Sequence, residues 1–282
     1  MTDIANSDPL FYNSLLLFSD SDMEKLRNAK IAFGGIGGVG SIALEMLVRI
    51  GIRNFKIADP DKYSDVNMNR QLFASADTLG QNKAAAAKDR ILKINPKAEV
   101  KTFEEGVTLN NLEAFCSGAD LIMAIMDKES VKVIIHKYAK EHKIPVVMGS
   151  RDSLTNSSRW CVRGKVWDYK NNPDLPSFGH TNHPELDKYD LSRLTPEIMA
   201  EYDKSINEKK LKLFKNTALN NADLFKSISK EDLLKKIENN NDYYNRHVCS
   251  VIANTAGCLS AAAAIRTILG NPPEDKISVN LW

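Results

Sequence analysis

The sequence predicts an α/β protein built on a doubly wound, Rossmann-like and mostly parallel sheet. Between residues 30 and 150, short apolar runs alternate with segments of helical periodicity, a pattern typical of parallel strands joined by right-handed crossover helices. A glycine-rich turn, IAFGGIGGVGS, separates the first apolar run from the first helix. With 282 residues, the chain is long enough to bury a sizeable core.

The predicted elements follow in order along the chain. Strands are predicted in KIAFGG, FKIAD, EVKTF, DLIMAI and PVVMGS, and the alternation in SSRWCVRGKVW predicts an antiparallel extension or a second layer. We expect residues 1–29 to form an N-terminal helical segment and residues 30–167 to form the main domain. Residues 168–246 are rich in Asn, Lys, Asp and Glu and predict a solvated helical insertion. Residues 247–282 predict an Ala-rich closing helix that stops at Gly270, followed by a last strand.

Charge and composition argue against several partners. The net charge of +2 supplies no strong field for nucleic acid or for an anionic membrane. The most apolar segment carries Asn254, Thr255 and Arg266, which are costly in a bilayer, so we expect a buried or interface helix and no membrane span. The four widely spaced cysteines and the polar start MTDIANSDP, which does not resemble a signal peptide, predict a cytoplasmic protein.

The glycine-rich turn predicts a phosphate-binding loop. Gly35, Gly37, Gly38 and Gly40 follow a strand directly, where glycines let the backbone approach a phosphate and the next helix points free N–H groups at the anion. Asp59 ends the second strand, where a carboxylate accepts hydrogen bonds from ribose hydroxyls. Proteins that bind NAD, FAD or ATP share this pattern, and some glycine turns bind nothing, so these residues alone leave the ligand open.

The charged residues that follow favour a nucleoside triphosphate. Arg70, with Asn67 and Gln71 beside it, and Lys83 at a predicted helix start suit a polyanion, because arginine clamps phosphate with two hydrogen bonds and lysine supplies a movable charge. Asp127 follows the fourth strand, at the edge where such sheets bind ligands. A carboxylate beside phosphates requires a cation, so we interpret Asp127 as a magnesium ligand. Hydride transfer would need none of these charges, although each one alone is also typical of an ordinary surface.

The motifs GGIGGVGS, ADPDKYSDVNMNRQLF, LGQNK, KINPKAEV and DLIMAIMD together resemble the ThiF/MoeB/HesA family of adenylyltransferases, which are similar to ubiquitin-activating enzymes. The resemblance covers roughly residues 23–150, and the Ala-rich helix after residue 247 resembles the closing helix of that family. It implies that residues 30–167 form an ATP-binding adenylation domain. The implied reaction is attack of a substrate carboxylate on the α-phosphate of ATP, with magnesium, usually in a homodimer.

The resemblance also assigns a role to each candidate residue. The four glycines become the phosphate loop, and Asp59 becomes the ribose ligand. Asn67 and Arg70 become phosphate contacts, Lys83 becomes the α-phosphate contact, and Asp127 becomes the magnesium ligand. A carboxylate is a weak nucleophile facing a polyanion, so we expect catalysis by charge neutralisation and in-line positioning.

The sequence departs from the family pattern in two places. Many relatives carry an arginine in an N-terminal RYxRQ segment that reaches the triphosphate of the partner subunit, whereas FYNSLLLF has Ser14 there. Three arginines beyond the fifth strand are candidates to replace it: Arg151, Arg159 and Arg163. The two CxxC pairs that hold structural zinc in many relatives are also missing, so we expect no zinc, and we interpret His180 and His183 as ordinary loop histidines.

Family members that go beyond adenylation pass the acyl group to a cysteine, because a thiolate is the better nucleophile. Cys249, with His247 close by, precedes the closing helix much as a cysteine does in the ubiquitin-fold-modifier activating enzyme and the tRNA dehydratase of the family. Cys249 is therefore a candidate for a thioester, and Cys161 is a weaker one. Free cysteine is often buried, so packing is the alternative, and it is our interpretation for Cys116 and Cys258.

Several acceptors remain open. The first is the C-terminus of a small ubiquitin-like or sulfur-carrier protein. The second is a ribosomally made precursor peptide in natural-product biosynthesis, which the lost arginine, the missing zinc motif and the unusual insertion favour. Membership of the tRNA-modifying branch would require clustered basic residues that bind RNA. The sequence shows no such cluster, so we expect no nucleic-acid partner. A nucleotide-binding module without catalysis is the alternative from a different class.

Overall fold

The computed structural model describes residues 14, 17–152, 160–220, 229, 231–232, 235, 250–273 and 276–281. These residues form one seven-stranded sheet flanked by helices on both faces. The strands are β1 (Lys30–Gly34), β2 (Asn54–Ala58), β3 (Glu99–Phe103), β4 (Leu121–Ala124), β5 (Val146–Asp152), β6 (Trp160–Trp167) and β7 (Lys276–Leu281). The helices are α1 (Asp20–Asn28), α2 (Gly38–Arg49), α3 (Lys83–Ile94), α4 (Leu112–Cys116), α5 (Glu129–Glu141), α6 (Phe178–Asn182), α7 (Pro184–Asp187), α8 (Pro196–Asn220) and α9 (Ser250–Ile268).

The strand order is β3-β2-β1-β4-β5-β6-β7. Strands β1 to β5 pair in parallel, whereas β5–β6 and β6–β7 pair antiparallel. The predicted doubly wound, mostly parallel sheet is therefore confirmed, and Trp160–Trp167 of the segment SSRWCVRGKVW forms an antiparallel extension. The direction of the order reverses between β1 and β4, and the crevice beside their carboxyl ends is where such sheets bind ligands.

Two hydrophobic layers cover the sheet. Helices α1, α2, α3 and α9 contribute to the core on one face, and α4 to α8 contribute to the core on the other. The central strand β4 reads LIMA and is buried at every position, as expected for a parallel strand covered on both sides. Both layers therefore hold the ends of the central strands in fixed positions.

Helix α2 is tied to α3 by a buried carboxylate. Glu45 is 4% exposed and accepts hydrogen bonds from Arg49 and from both Nε and Nη2 of Arg90 at 2.8–2.9 Å. Burial raises the pKa of Glu45, but the hydrogen bonds from Arg90 and Arg49 outweigh it and hold the pKa below its usual value. The helix after the glycine turn is thus anchored by charge as well as by packing.

The closing helix α9 packs tightly onto α2 and β6. A Cβ added at Gly257 would lie 2.6 Å from the Cβ of Ile42, and one added at Gly164 of β6 would lie 2.6 Å from the carbonyl oxygen of Leu259. Glycine at these positions lets the three elements approach each other.

Within the described ranges, no helix has the length and hydrophobicity that crossing a membrane requires.

Part of the segment after β6 is packed against α5, which its polar composition did not predict. Five of its apolar side chains are at most 8% exposed and belong to the core beneath α5: Tyr169, Phe178, Leu186, Leu194 and Met199. His136 of α5 is fully buried among them, with Nδ1 2.8 Å from the hydroxyl of Tyr169. Burial, helped by Lys132 and Lys165, lowers the pKa of His136 to about 3. Most other side chains described in this segment are exposed or half-buried. The contact could not be predicted because the few apolar residues that make it are widely spaced in the sequence.

Candidate nucleotide-binding site

The glycine turn after β1 has the geometry of a ligand-binding loop. Gly35 has a φ of +92° and donates its N–H to the carbonyl of Ala58 at 2.9 Å. A Cβ at Gly35 would lie 2.6 Å from the carbonyl carbon of Ile125, just after β4. This position therefore requires glycine for both its backbone conformation and its close approach to the neighbouring strand.

The next glycines differ in what surrounds them. A Cβ at Gly37, the residue before α2, would meet no atom within 4 Å. A Cβ at Gly40 would overlap the carbonyl oxygen of Gly35. At Gly38 it would lie 3.1 Å from Ala253 of α9 and 3.4 Å from Cγ of Arg70. The loop is thus closed on its inner side and open at Gly37, next to the free N–H groups of the α2 N-terminus.

Asp59 follows β2 and is 6% exposed. Its Oδ2 accepts the N–H of Ile36 at 2.6 Å, and its Oδ1 accepts the N–H of Asp61 at 2.9 Å. Burial raises the pKa of Asp59, and the Lys83 ammonium and the two N–H groups offset this only in part. The carboxylate lies against the phosphate loop, and each oxygen keeps a lone pair for a ribose hydroxyl.

Lys83 lies beside this carboxylate although it is 24 residues further along the chain. Asn82, the N-cap of α3, donates its side-chain Nδ2 to the carbonyl of Asp59 at 3.1 Å, and its Oδ1 accepts the N–H of Ala84 at 2.8 Å. The side chain of Lys83 is 7% exposed, and its Nζ lies 2.9 Å from Asp61. A nearly buried ammonium at the end of the crevice can neutralise a phosphate charge.

The segment between β2 and α3 supplies the remaining polar groups. Asn67 is 7% exposed, and its Oδ1 accepts the backbone N–H of Ser64 at 3.1 Å. Arg70 donates Nη1 to the carbonyl of Val66 at 2.8 Å, and its side chain passes close to Gly38. Gln71 is 6% exposed, and its Oε1 finds no hydrogen-bond partner among the residues that the structure describes. An orphaned buried acceptor fits a donor group of a bound ligand.

Two residues of the site were missed by the sequence prediction. Ser41 of α2 is fully buried, and its hydroxyl accepts the N–H of Leu72 at 3.0 Å, which ties this segment to the phosphate-loop helix. Tyr63 is 2% exposed; the ammonium of Lys83 lies 5.9 Å from its ring centroid. The Tyr63 hydroxyl has no partner within the described ranges. Both residues lie within quoted motifs, GGIGGVGS and ADPDKYSDVNMNRQLF, but neither side chain was singled out because its role depends on contacts that form only in the fold.

Asp127 lies just beyond β4 and is exposed. The β4 end is joined to the phosphate loop, since Ile125 donates its N–H to the carbonyl of Gly34 at 2.8 Å. Within the described part of the chain, no group of three His, Cys, Asp or Glu side chains could hold a metal. A lone carboxylate suits magnesium, which keeps several waters and takes one or two protein carboxylates together with substrate phosphates.

Other sequence predictions fall outside this site or outside the described residues. Cys249, His247 and Arg159 lie outside the described residues, and the side chains of four more are not described: Arg151, Cys161, Arg163 and His180. Cys116 is buried, which agrees with packing, but Cys258 is exposed, so the packing interpretation of Cys258 is wrong. His183 is 7% exposed and contacts Tyr202 and Glu129.

The structure places a glycine loop where the strand order of this α/β sheet reverses, and it brings a buried carboxylate after β2 and a nearly buried lysine to the same end of the sheet. The family model for ThiF matches residues 12–282. The chain therefore belongs to the ThiF family.

Curated relatives match about half of the chain. The tRNA threonylcarbamoyladenosine dehydratase of Bacillus subtilis is 34% identical over 138 residues, which are 49% of this chain and 54% of that protein. Ubiquitin-like modifier-activating enzyme 5 of Arabidopsis thaliana is 30% identical over 161 residues, 50% of this chain and 36% of that protein. The chain thus spans about half or less of the length of these relatives.

Solved structures give the same fold. The Escherichia coli dehydratase TcdA in complex with ATP is 29% identical with a TM-score of 0.50, over 54% of this chain and 64% of that one. The crystal structure of PaaA is 21% identical with a TM-score of 0.64, over 100% of this chain and 80% of that one. The likeness to PaaA concerns the fold alone, but it spans the helical segment after β6.

Proposed function

We propose that this protein binds ATP and activates a substrate carboxylate as an acyl adenylate, with release of pyrophosphate. The observation that carries the proposal is the pairing of an open phosphate loop at Gly37 with the nearly buried ammonium of Lys83. The family supports it, and so does the likeness to TcdA, whose structure contains ATP.

Each polar group of the site has a task in this reaction. The N–H groups of the loop and of α2 bind phosphate oxygens, and Asp59 accepts the ribose hydroxyls. Arg70 and Lys83 neutralise the charge that develops while the carboxylate attacks the α-phosphate. Magnesium, held by Asp127 and the phosphates, would supply further neutralisation when bound. Gln71 offers to a donor of the nucleotide its Oε1, which has no partner in the described part of the chain.

The acceptor that we propose is the carboxyl terminus of a small ubiquitin-like or sulfur-carrier protein, with a precursor peptide as the alternative. A relative named for activating a ubiquitin-like modifier supports a protein acceptor. The net charge of +2 does not favour a tRNA acceptor, although other relatives are named for tRNA.

A thioester at Cys249 would extend the reaction. Its thiolate would attack the acyl carbon of the adenylate, form the S–C bond and release AMP. The step predicts a covalent product of protein and acceptor that a thiol reductant cleaves. Its presence in the wild type and its absence in Cys249→Ala would support this step.

The proposal includes a homodimer. Four large apolar side chains on the segment between β2 and α3 are 38–49% exposed: Val66, Met68, Leu72 and Leu79. Sedimentation should show a dimer at micromolar concentration, and Met68→Glu should weaken it because a buried unpaired charge is costly. A wild-type monomer at that concentration would remove the claim.

ATP–pyrophosphate exchange tests the function. Purified protein with magnesium is assayed with ubiquitin-like tails and with peptides encoded beside its gene. Exchange should depend on one acceptor and should be lost in Asp127→Ala, whereas Asp89→Ala, which removes an exposed carboxylate of α3, should keep it. ATP binding without exchange for any acceptor would favour the binding-module alternative, and full exchange by Asp127→Ala would contradict the assignment of that residue.

A further inference from the structure

The start of α5 is held by residues from the segment after β6. Helix α5 begins at Glu129, two residues after Asp127, and its N-cap Lys128 makes no side-chain capping hydrogen bond. The first N–H groups of a helix need acceptors from elsewhere. Asp203 of α8 provides one of them: its Oδ1 accepts the N–H of Ser130 at 3.0 Å, and its Oδ2 accepts the Ser130 hydroxyl at 2.6 Å.

A second contact holds the neighbouring residue. Nε2 of His183 lies 3.4 Å from Oε2 of Glu129, and Nδ1 of the same ring lies 2.6 Å from the hydroxyl of Tyr202. Tyr202 directly precedes Asp203 in α8. The first two residues of α5 are therefore both fixed from this one segment.

The other end of the connection between β4 and α5 is anchored as well. Ile125 is hydrogen-bonded to Gly34 of β1, so only residues 126–128 lie between two fixed points. Among the described residues, no hydrogen bond or ion pair holds the carboxylate of Asp127 itself. Its position is therefore set by the backbone on either side.

We infer that Asp203, assisted by His183, is a positioning residue that orients Asp127 towards the nucleotide. The inference rests on the proposed function, in which Asp127 holds magnesium beside the phosphates. The carboxylate of Asp203 also lies at the positive end of the α5 dipole, where a negative charge is favourable. The segment after β6 thus takes part in the nucleotide site without contacting the nucleotide.

The test is the gain in ATP affinity that magnesium produces, measured by calorimetry. Asp203→Ala should reduce this gain by about tenfold or more, as expected when the support of a metal ligand is removed. Asp203→Asn keeps one acceptor for the N–H of Ser130, so its magnesium-dependent gain in ATP affinity should fall less than that of Asp203→Ala. ATP affinity without magnesium should stay unchanged in both variants, and amide hydrogen exchange at residues 126–131 should accelerate in Asp203→Ala.

Asp187→Asn is the matched control. Asp187 joins the same segment to α5 through Lys137, at 3.1 Å, but further along the helix. An unchanged magnesium-dependent gain in Asp203→Ala, or an equal loss in Asp187→Asn, would overturn the inference, and so would a wild type without any such gain. A wild type that shows the gain but no pyrophosphate exchange would contradict the proposed function alone.

Discussion

Replacing Lys83 by methionine separates a role in chemistry from a role in folding. The side chain is 7% exposed and its ammonium contacts Asp61, whose side chain is 67% exposed. Methionine has a similar length and fills the same space without charge. In Lys83→Met, Asp61 can be hydrated in place, and the buried carboxylate of Asp59 loses a nearby positive charge but keeps the N–H groups of Ile36 and Asp61 as hydrogen-bond donors.

The structure allows the size of both effects to be worked out. The ion pair of Lys83 and Asp61 has one exposed partner, so it contributes little to stability. Its loss also removes the cost of burying the ammonium, so the free energy of unfolding should change by no more than about 1 kcal/mol. For a chain of this size, that is a shift in Tm of about 2–4 °C. A donor aimed at the charge that develops in the transition state contributes about 2.7–4 kcal/mol, so kcat should fall on the order of 100- to 1000-fold.

The assay compares pyrophosphate exchange with thermal unfolding for three proteins. Wild type and Lys83→Met should unfold at similar temperatures and differ widely in exchange. Asp61→Asn leaves the ammonium of Lys83 without its carboxylate, so it should lower the Tm of the free protein, and ATP should restore more stability to it than to wild type because phosphate replaces the lost partner.

Two results would refute the reasoning. Exchange within about threefold of wild type in Lys83→Met, well under the effect expected for such a donor, would show that the ammonium does not act on the reacting phosphate. A large loss of Tm with the loss of exchange would make Lys83 a structural residue whose charge the fold requires.

Three further predictions concern the loop and the buried titratable groups. Gly37→Ala should keep its stability and weaken ATP binding, whereas Gly40→Ala should lower the Tm because its methyl group overlaps backbone; calorimetry and thermal unfolding compare them. Glu45→Gln should lower the free energy of unfolding, measured with urea at pH 7, by about 1.5–3 kcal/mol. The difference from wild type should vanish as the pH falls below 4.5 and through the lowered pKa of Glu45, because the wild-type carboxylate then becomes protonated. His136 is buried in its neutral form. As the pH is lowered from 6.5 to about 3, the free energy of unfolding should therefore fall by up to about 1.4 kcal/mol per pH unit. His136→Phe should lose this slope and the exposed His142→Gln should keep it; equal slopes in both would contradict the assignment.

Local pattern was sufficient for most of the fold. The alternation of apolar runs with helical segments has one economical solution, a parallel sheet with crossovers, and the glycine turn lies where such a sheet reverses its order. Gly35 and Asp59 were therefore predictable, since each is adjacent in sequence to a strand end whose position the topology dictates.

Contacts between distant segments were not predictable in this way. Asp203 and Ser130, which join α8 to the start of α5, are 73 residues apart in the sequence. Nothing in the composition around Asp203 distinguishes its helix from a solvated one. The same holds for the aromatic residues that bury His136, which are too far apart in the chain to form a periodic pattern.

The sequence by itself determined the order of strands and helices and the chemistry at the strand ends, because periodicity and glycine placement act over a few residues. The tertiary structure alone decided how the segment after β6 packs on α5 and that the backbone is anchored on either side of Asp127. It also decided that Gln71 and Tyr63 have buried polar atoms without a partner among the described residues. Such features depend on which surfaces meet, and the free energy of those contacts belongs to pairs of residues that the chain brings together only when it folds.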